Sequence, residues 1–143
     1  MLRRRSLQTI TVCYLGVVGW ITLGPQPLDE RGAGILHRLL GVLAQFDLTR
    51  WITYDLVEFT ANVAMFVPAG LLFLLLAGRR QWWLALAGGV VLTCAIEVTQ
   101  LFLPGRFADL RDILANSLGT LLGVIVGLLL TRHGTTTSGT LER

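Results

Sequence analysis

The sequence predicts an all-α integral membrane protein with four transmembrane helices, and three observations carry that prediction. Of the 143 residues, 53% are hydrophobic and only 15% charged, against about 25% charged in soluble domains, and the mean hydropathy is +0.66. A bilayer-crossing helix needs roughly 20 mostly apolar residues, and four stretches approach that length: Leu7–Leu23, Leu56–Ala77, Trp82–Leu103 and Ile113–Leu130. None of the four has the polar outer face that a helix of a soluble bundle would need. Residues 1–131 thus read as one transmembrane domain, and the polar, low-complexity stretch 132–143 as a disordered cytoplasmic tail.

The arginines orient the spans. All twelve basic residues are arginine. Arg3, Arg4, Arg5, Arg79, Arg80, Arg132 and Arg143 fall at the N-terminus, the second connection and the tail, which four spans place on one side. Arg31, Arg38, Arg50, Arg106 and Arg111 share the other side with most of the acids. The positive-inside rule then puts both termini in the cytoplasm. The basic head Arg3–Arg5 followed by an apolar run is similar to the start of a signal peptide. No small-x-small cleavage site follows Trp20, so an uncleaved first span is expected.

After Gly24-Pro25-Gln26-Pro27, the segment Leu28–Asp55 is expected outside. Within it Ile35, Leu36, Leu39, Leu40, Leu43 and Phe46 recur at helical spacing, the pattern of an amphipathic helix. Two placements are open for it: flat in the outer interface, or folded over the bundle as a lid. Trp51 and Tyr54 suit an interfacial aromatic belt before the second span, and Trp82 and Trp83 suit one at the start of the third. Pro68, followed by Gly70, predicts a bend in the second span, because proline removes a helical hydrogen bond. Gly88 and Gly89 permit close approach to a neighbouring helix. In the fourth span Gly119, Gly123 and Gly127 lie four apart on one face, a helix-packing signal within the bundle or, as the second option, between two copies of the chain.

Charge and motif content exclude several function classes. The net charge of +3 comes without a basic stripe or an aromatic platform, so nucleic acid is not an expected partner. His37 and His133 are isolated, and no zinc-ligand spacing occurs. Cys13 and Cys94 sit inside apolar runs and read as small buried side chains. No serine or cysteine is paired with a histidine, and no phosphate-cradling glycine loop is present.

With this topology the strongly polar residues inside the spans gather at the outer end. Glu58 and Asn62 are one helical turn apart on the second span. Glu97 and Gln100 share a face near the end of the third, with Glu97 about 9 Å inside Leu103 at about 1.5 Å per residue. Asp109, Asp112, Asn116 and Gly119 form one stripe on the fourth, and Pro104-Gly105-Arg106 makes the turn between those two spans. A charged residue near a helix centre costs about 2.5–3.5 kcal/mol on insertion scales, so such groups pair or serve a function. A purely structural role would be an Arg106–Asp109/Asp112/Glu97 network with Asp109 or Asp112 capping the fourth helix. Five acids, counting Asp55, against Arg106 and Arg111 exceed what packing needs. The cluster suits acid–base chemistry by Glu97 and Asp112 with Arg106 stabilising negative charge, a divalent cation held by several oxygens, or an arginine grip on a lipid-linked ligand. No cofactor is identified, and the divalent cation stays open.

These same residues carry a family likeness. E-F-T-A-N-V-A-M-F-V-P-A-G, Glu58 to Gly70, resembles the N-x-x-x-F-x-P-x-G signature of VanZ-like membrane proteins. Glu97, Gln100, Arg106, Asp109, Asp112, Asn116, Gly119 and Gly123 resemble that family's E-x-x-Q … R-x-x-D-x-x-D-x-x-x-N-x-x-G-x-x-x-G pattern. The resemblance covers Glu58 to about Leu130 and implies a small multi-pass protein of the bacterial plasma membrane. The family's namesake is associated with resistance to the glycopeptide teicoplanin, and no reaction comes with the resemblance. Arg111 adds a charge between the two acids of the motif, which counts against a detailed catalytic transfer. The expected function is an outward-facing site, formed by Glu58, Asn62, Glu97, Gln100, Arg106, Asp109, Asp112 and Asn116, for a lipid-linked cell-wall precursor or lipoglycopeptide among the membrane lipids. The alternative is an accessory subunit that binds a partner protein through the glycine face and the outer loop. A transporter ranks third, because the cytoplasmic half of the spans carries no charge and no inverted repeat is visible.

Overall fold

The computed structural model describes residues 2–24, 38–43, 45–47, 49, 51–104 and 108–133, and every regular element among them is helical. The long helices are α1 (Leu2–Leu23), α2 (Tyr54–Ala77), α3 (Trp82–Gln100) and α4 (Leu110–His133), with one 3₁₀ turn, Arg79–Gln81, between α2 and α3. Each is long and apolar enough to cross a membrane, over Arg4–Leu23, Tyr54–Ala77, Arg79–Gln100 and Leu110–Thr131. The chain is an all-α membrane protein.

The helix ends follow from local chemistry. Thr53 caps α2 by accepting the Leu56 N–H at 3.3 Å, and Asp55 places negative charge in the first turn, where the helix dipole favours it. At the other end Gly78 takes φ +87°, a conformation costly for any side chain, and its N–H closes on the Leu74 carbonyl at 2.7 Å. Between these caps α2 runs on through Pro68. The third helix stops at Gln100, short of the expected Leu103. The Phe102 and Leu103 N–H groups bond three residues back, to Thr99 and Gln100, which tightens the chain into a turn. Pro104 follows and disfavours helical backbone at the residue before it. The fourth helix begins at Leu110, earlier than the expected Ile113, because Asp109 caps it.

The centre of the bundle is the contact between α2 and α4. Val63 lies against Gly119, Val67 against Gly123 and Leu71 against Gly127, so paired positions rise together and the two helices run parallel. A Cβ at Gly119 would overlap the Val63 carbonyl, and one at Gly123 the Val67 carbonyl. Gly70 returns the arrangement, facing the backbone of Thr120. The glycine stripe is therefore occupied within the chain, and its second option, contact between copies, would require this interface to open. Antiparallel to both, α3 brings Gly89 against the Thr120 side chain.

Outside this trio, α1 packs mainly on α2, with only 11% of its spanning window buried against 39% for α4. The core forms two clusters, one of Val18, Phe66, Ala69 and Ile96 and one of Leu74, Ala85 and Val124. Two polar contacts fix α1. The Tyr14 hydroxyl donates to the Met65 carbonyl at 2.5 Å, beside Ala64, whose carbonyl loses its helical donor to the Pro68 ring. Gln100 Nε2 donates to the Thr22 carbonyl at 3.0 Å, satisfying one of the last carbonyls of α1. At the opposite end of the bundle, Arg79 donates to the Leu128 carbonyl at 2.7 Å and to Thr131 Oγ1 at 2.8 Å, a cation at the negative end of the α4 dipole.

Some expectations shift. Both cysteines are free and exposed on outer helix faces, because their helices turn other residues inward. Of the expected amphipathic helix, residues 38–43 are helical, with Leu39 exposed and Leu40 half-buried. Residues 35–37 lie outside the described residues, as does the tail from 134 onward.

The glycine contact predicts an asymmetry between two substitutions. Gly123→Val should destabilise the protein in lipid nanodiscs by about 1–3 kcal/mol, the usual cost of overpacking. Gly16→Val, where a Cβ meets nothing within 4 Å, should leave thermal unfolding unchanged. Equal melting curves for the two variants would refute the close α2–α4 approach.

Candidate functional site

The site begins where α4 begins. Asp109 sits just before the helix, and its carboxylate Oδ1 accepts the Arg111 N–H at 2.8 Å while its carbonyl accepts the Asp112 N–H at 3.0 Å. This is side-chain capping of otherwise unpaired donors. The backbone N–H of Asp109 in turn donates to Glu97 Oε2 at 2.8 Å. Glu97 is buried at 4% exposure near the end of α3, so its carboxylate pins the start of one helix to the end of the previous one.

One turn into α4, Asp112 Oδ1 accepts Asn62 Nδ2 from α2 at 2.7 Å. One turn deeper, Asn116 Nδ2 donates to Thr93 Oγ1 of α3 at 2.9 Å, and the Asn116 carbonyl accepts the Thr120 hydroxyl at 2.9 Å. The amide oxygen of Asn116 is buried and has no hydrogen-bond partner. The expected stripe thus exists, and its members divide their partners: Asp109 to α3, Asp112 to α2, Asn116 to α3.

Towards the outside lies a small open cavity lined by Asp55, Glu58, Phe59, Asp109, Arg111 and Asp112. Glu58 is exposed there, one turn before Asn62. Arg111 Nη1 lies 3.3 Å from Asp55 Oδ2, with both side chains more than half exposed. In that setting the ion pair contributes about 0–1 kcal/mol, so its effect is mainly to neutralise Asp55. Among the described residues the cluster holds Asp55, Glu58, Glu97, Asp109 and Asp112 against the single guanidinium of Arg111. Arg106, expected at the centre of the site, lies outside the described residues.

Gln100 departs from the expected grouping. It lies one turn beyond Glu97, and its amide is committed to the α1 terminus. Thr93 joins the interior unannounced, although a signal was available: it stands four residues before Glu97, on the same helix face. Among the described residues no three His, Cys, Asp or Glu side chains converge to hold a metal ion. The arrangement offers carboxylate and amide oxygens at the mouth of three helices, with charge available to meet a donor-bearing group.

Comparison with known families finds that the family model described as VanZ/LLP1 matches residues 11–131, a stretch that includes every residue of the cluster. No curated protein and no solved structure matches the chain.

The Asn62–Asp112 contact should register in a double-mutant cycle. For Asn62→Ala and Asp112→Ala, unfolding in nanodiscs should give a coupling energy of about 0.6 kcal/mol, the average for interhelical hydrogen bonds in membranes, and no more than about 1.7 kcal/mol. Strict additivity would mean the two side chains do not interact in the folded protein.

Proposed function

The chain belongs to the VanZ/LLP1 family, and from that premise we propose that the cluster is an outward-facing site which binds or processes a lipid-linked or amphipathic ligand of the cell envelope. The observation that carries this reading is the cavity bounded by Glu58, Asp109 and Asp112, to which α2 and α4 both contribute. Orientation is inferred from the arginines: the positive-inside rule assigns Arg79 and Arg80 to the cytoplasmic end, which supports an outward-facing cavity. Ionisable groups inside spanning helices mark functional sites as a rule. Among the described residues Glu97 bonds Asp109 through one oxygen and Asp112 bonds Asn62 through one oxygen, and a carboxylate has two oxygens that accept.

A lipid-linked cell-wall precursor and a lipoglycopeptide such as teicoplanin both belong to this ligand class, each joining an apolar tail to a polar, donor-rich head. If the ligand is turned over, Asp112 is the residue placed to meet it, since it lines the cavity while Glu97 is buried behind the Asp109 N–H. The accessory-subunit alternative is weakened by the use of the glycine face on α2, and would have to rest on the outer segment around residues 38–51.

Purification in native-lipid particles, followed by mass spectrometry of co-purifying molecules, tests the reading. The unmodified protein should retain at least one envelope amphiphile that the Glu97→Gln, Asp112→Asn double variant loses at equal membrane abundance. Identical retention by both would remove the ligand-site reading and favour the accessory subunit.

A further inference from the structure

We propose that the group this site recognises is a primary ammonium, carried by the head of an amphiphile. The proposal rests on the ligand-site reading above and names the chemistry of its ligand.

The starting point is the unpartnered oxygen of Asn116. That residue is 2% exposed, and its Oδ1 has no donor, so the desolvation of a strong acceptor goes uncompensated. Asn116 lies one turn below Asp112 on α4, and its amide nitrogen is bonded to Thr93, one turn below Glu97 on α3. Asn116 therefore sits one turn beneath Glu97 and Asp112, deeper than the residues that line the cavity. Above it Glu58, Glu97, Asp109 and Asp112 bring acceptors, while the donors of Asn62 and Arg111 are directed to Asp112 and Asp55. Ionised carboxylates accept only, and the hydrogen bonds to Glu97 and Asp112 engage one oxygen of each.

At the entrance, Glu58, Asp109 and Asp112 line the cavity, and the Arg111 charge is directed to Asp55. Among the described residues the carboxylates at this entrance outnumber the one guanidinium, which disfavours an anionic group inside the cavity. The site asks for a guest with positive charge and several N–H donors, and a primary ammonium supplies one charge and three donors. Phe59 also lines the cavity, and an aromatic ring suits the same cation.

Size points the same way. The cavity has room for little more than a water-sized group, so what enters it is the ammonium itself, and the rest of the molecule stays outside. Leu101, Phe102 and Leu110, at the same end of the bundle, are 65%, 82% and 70% exposed, which leaves an apolar surface for the hydrocarbon of that molecule.

The test offers the protein, in detergent micelles, an equimolar set of lipids with identical chains: phosphatidylethanolamine, phosphatidylcholine, phosphatidylglycerol and phosphatidic acid. Native mass spectrometry reads the bound fraction. Trimethylation in phosphatidylcholine keeps the charge and removes every N–H, so the ethanolamine lipid should be retained about tenfold or more over it, the equivalent of one charge-assisted hydrogen bond. The isosteric Asn116→Leu variant should lose that preference. Displacement by soluble ethanolamine would show that the ammonium suffices, whereas persistence would confine recognition to the lipid-borne amine; both outcomes keep the proposal.

Equal retention of the ethanolamine and choline lipids, or preference for phosphatidylglycerol or phosphatidic acid, would overturn it. If that retention were still lost in the Glu97→Gln, Asp112→Asn variant, the ligand site would stand with a different ligand. If no lipid distinguished that variant, both readings would fall. Should Asn116→Leu not accumulate, the comparison on the unmodified chain decides alone.

Discussion

The parallel approach of α2 and α4 along Gly119 and Gly123 sets the position of everything else in this protein. In a bilayer there is no hydrophobic drive between apolar helices, so close contact comes from packing and from hydrogen bonds between helices. Glycine allows the first by bringing backbone against backbone at Val63 and Val67. The second follows from the register this produces. With Val63 against Gly119, Asn62 stands within reach of Asp112, and a polar pair closes the outer end of the contact. Replacing either glycine with a larger residue would separate the helices and the pair together.

The third helix is then tied to the first two by its own polar residues. Thr93 receives Asn116, and Glu97 holds the N–H that precedes α4. Gln100 extends the same helix face to α1, the least buried of the spans. Structural and functional roles therefore coincide in the carboxylates. One oxygen of Glu97 and one of Asp112 hold the bundle, and what remains is an acceptor-rich interior that opens through a small cavity. Among the described residues Asn116 Oδ1, one turn below Asp112, is the buried side-chain atom left without a partner.

Much of this was legible in the amino-acid order, and the failures have identifiable causes. Apolar length located all four spans, though α3 ended three residues early because Pro104 and the preceding turn govern the local backbone. Helical periodicity placed Asp109, Asp112 and Asn116 on one face but could not assign their partners, since three helices compete for that face. Gln100 was grouped with Glu97 on the strength of a shared face. A rotation of a few tens of degrees around α3 instead directs it to α1, and spacing along one helix carries no information about that. Cys13 and Cys94 looked interior because apolar surroundings in a membrane protein describe lipid as well as core.

By itself, then, the sequence determined the membrane class, the number of spans, the end of the bundle at which the polar residues collect, and the small-residue face that admits a close neighbour. These depend on composition and on the 3.6-residue period, both local properties of the chain. Only the tertiary structure decided which helix fills that face, which carboxylate is buried, which amide leaves the cluster for α1, and which oxygen is left without a donor. Such outcomes depend on the relative rotation and register of helices far apart in sequence, and those are set jointly by packing along their whole length.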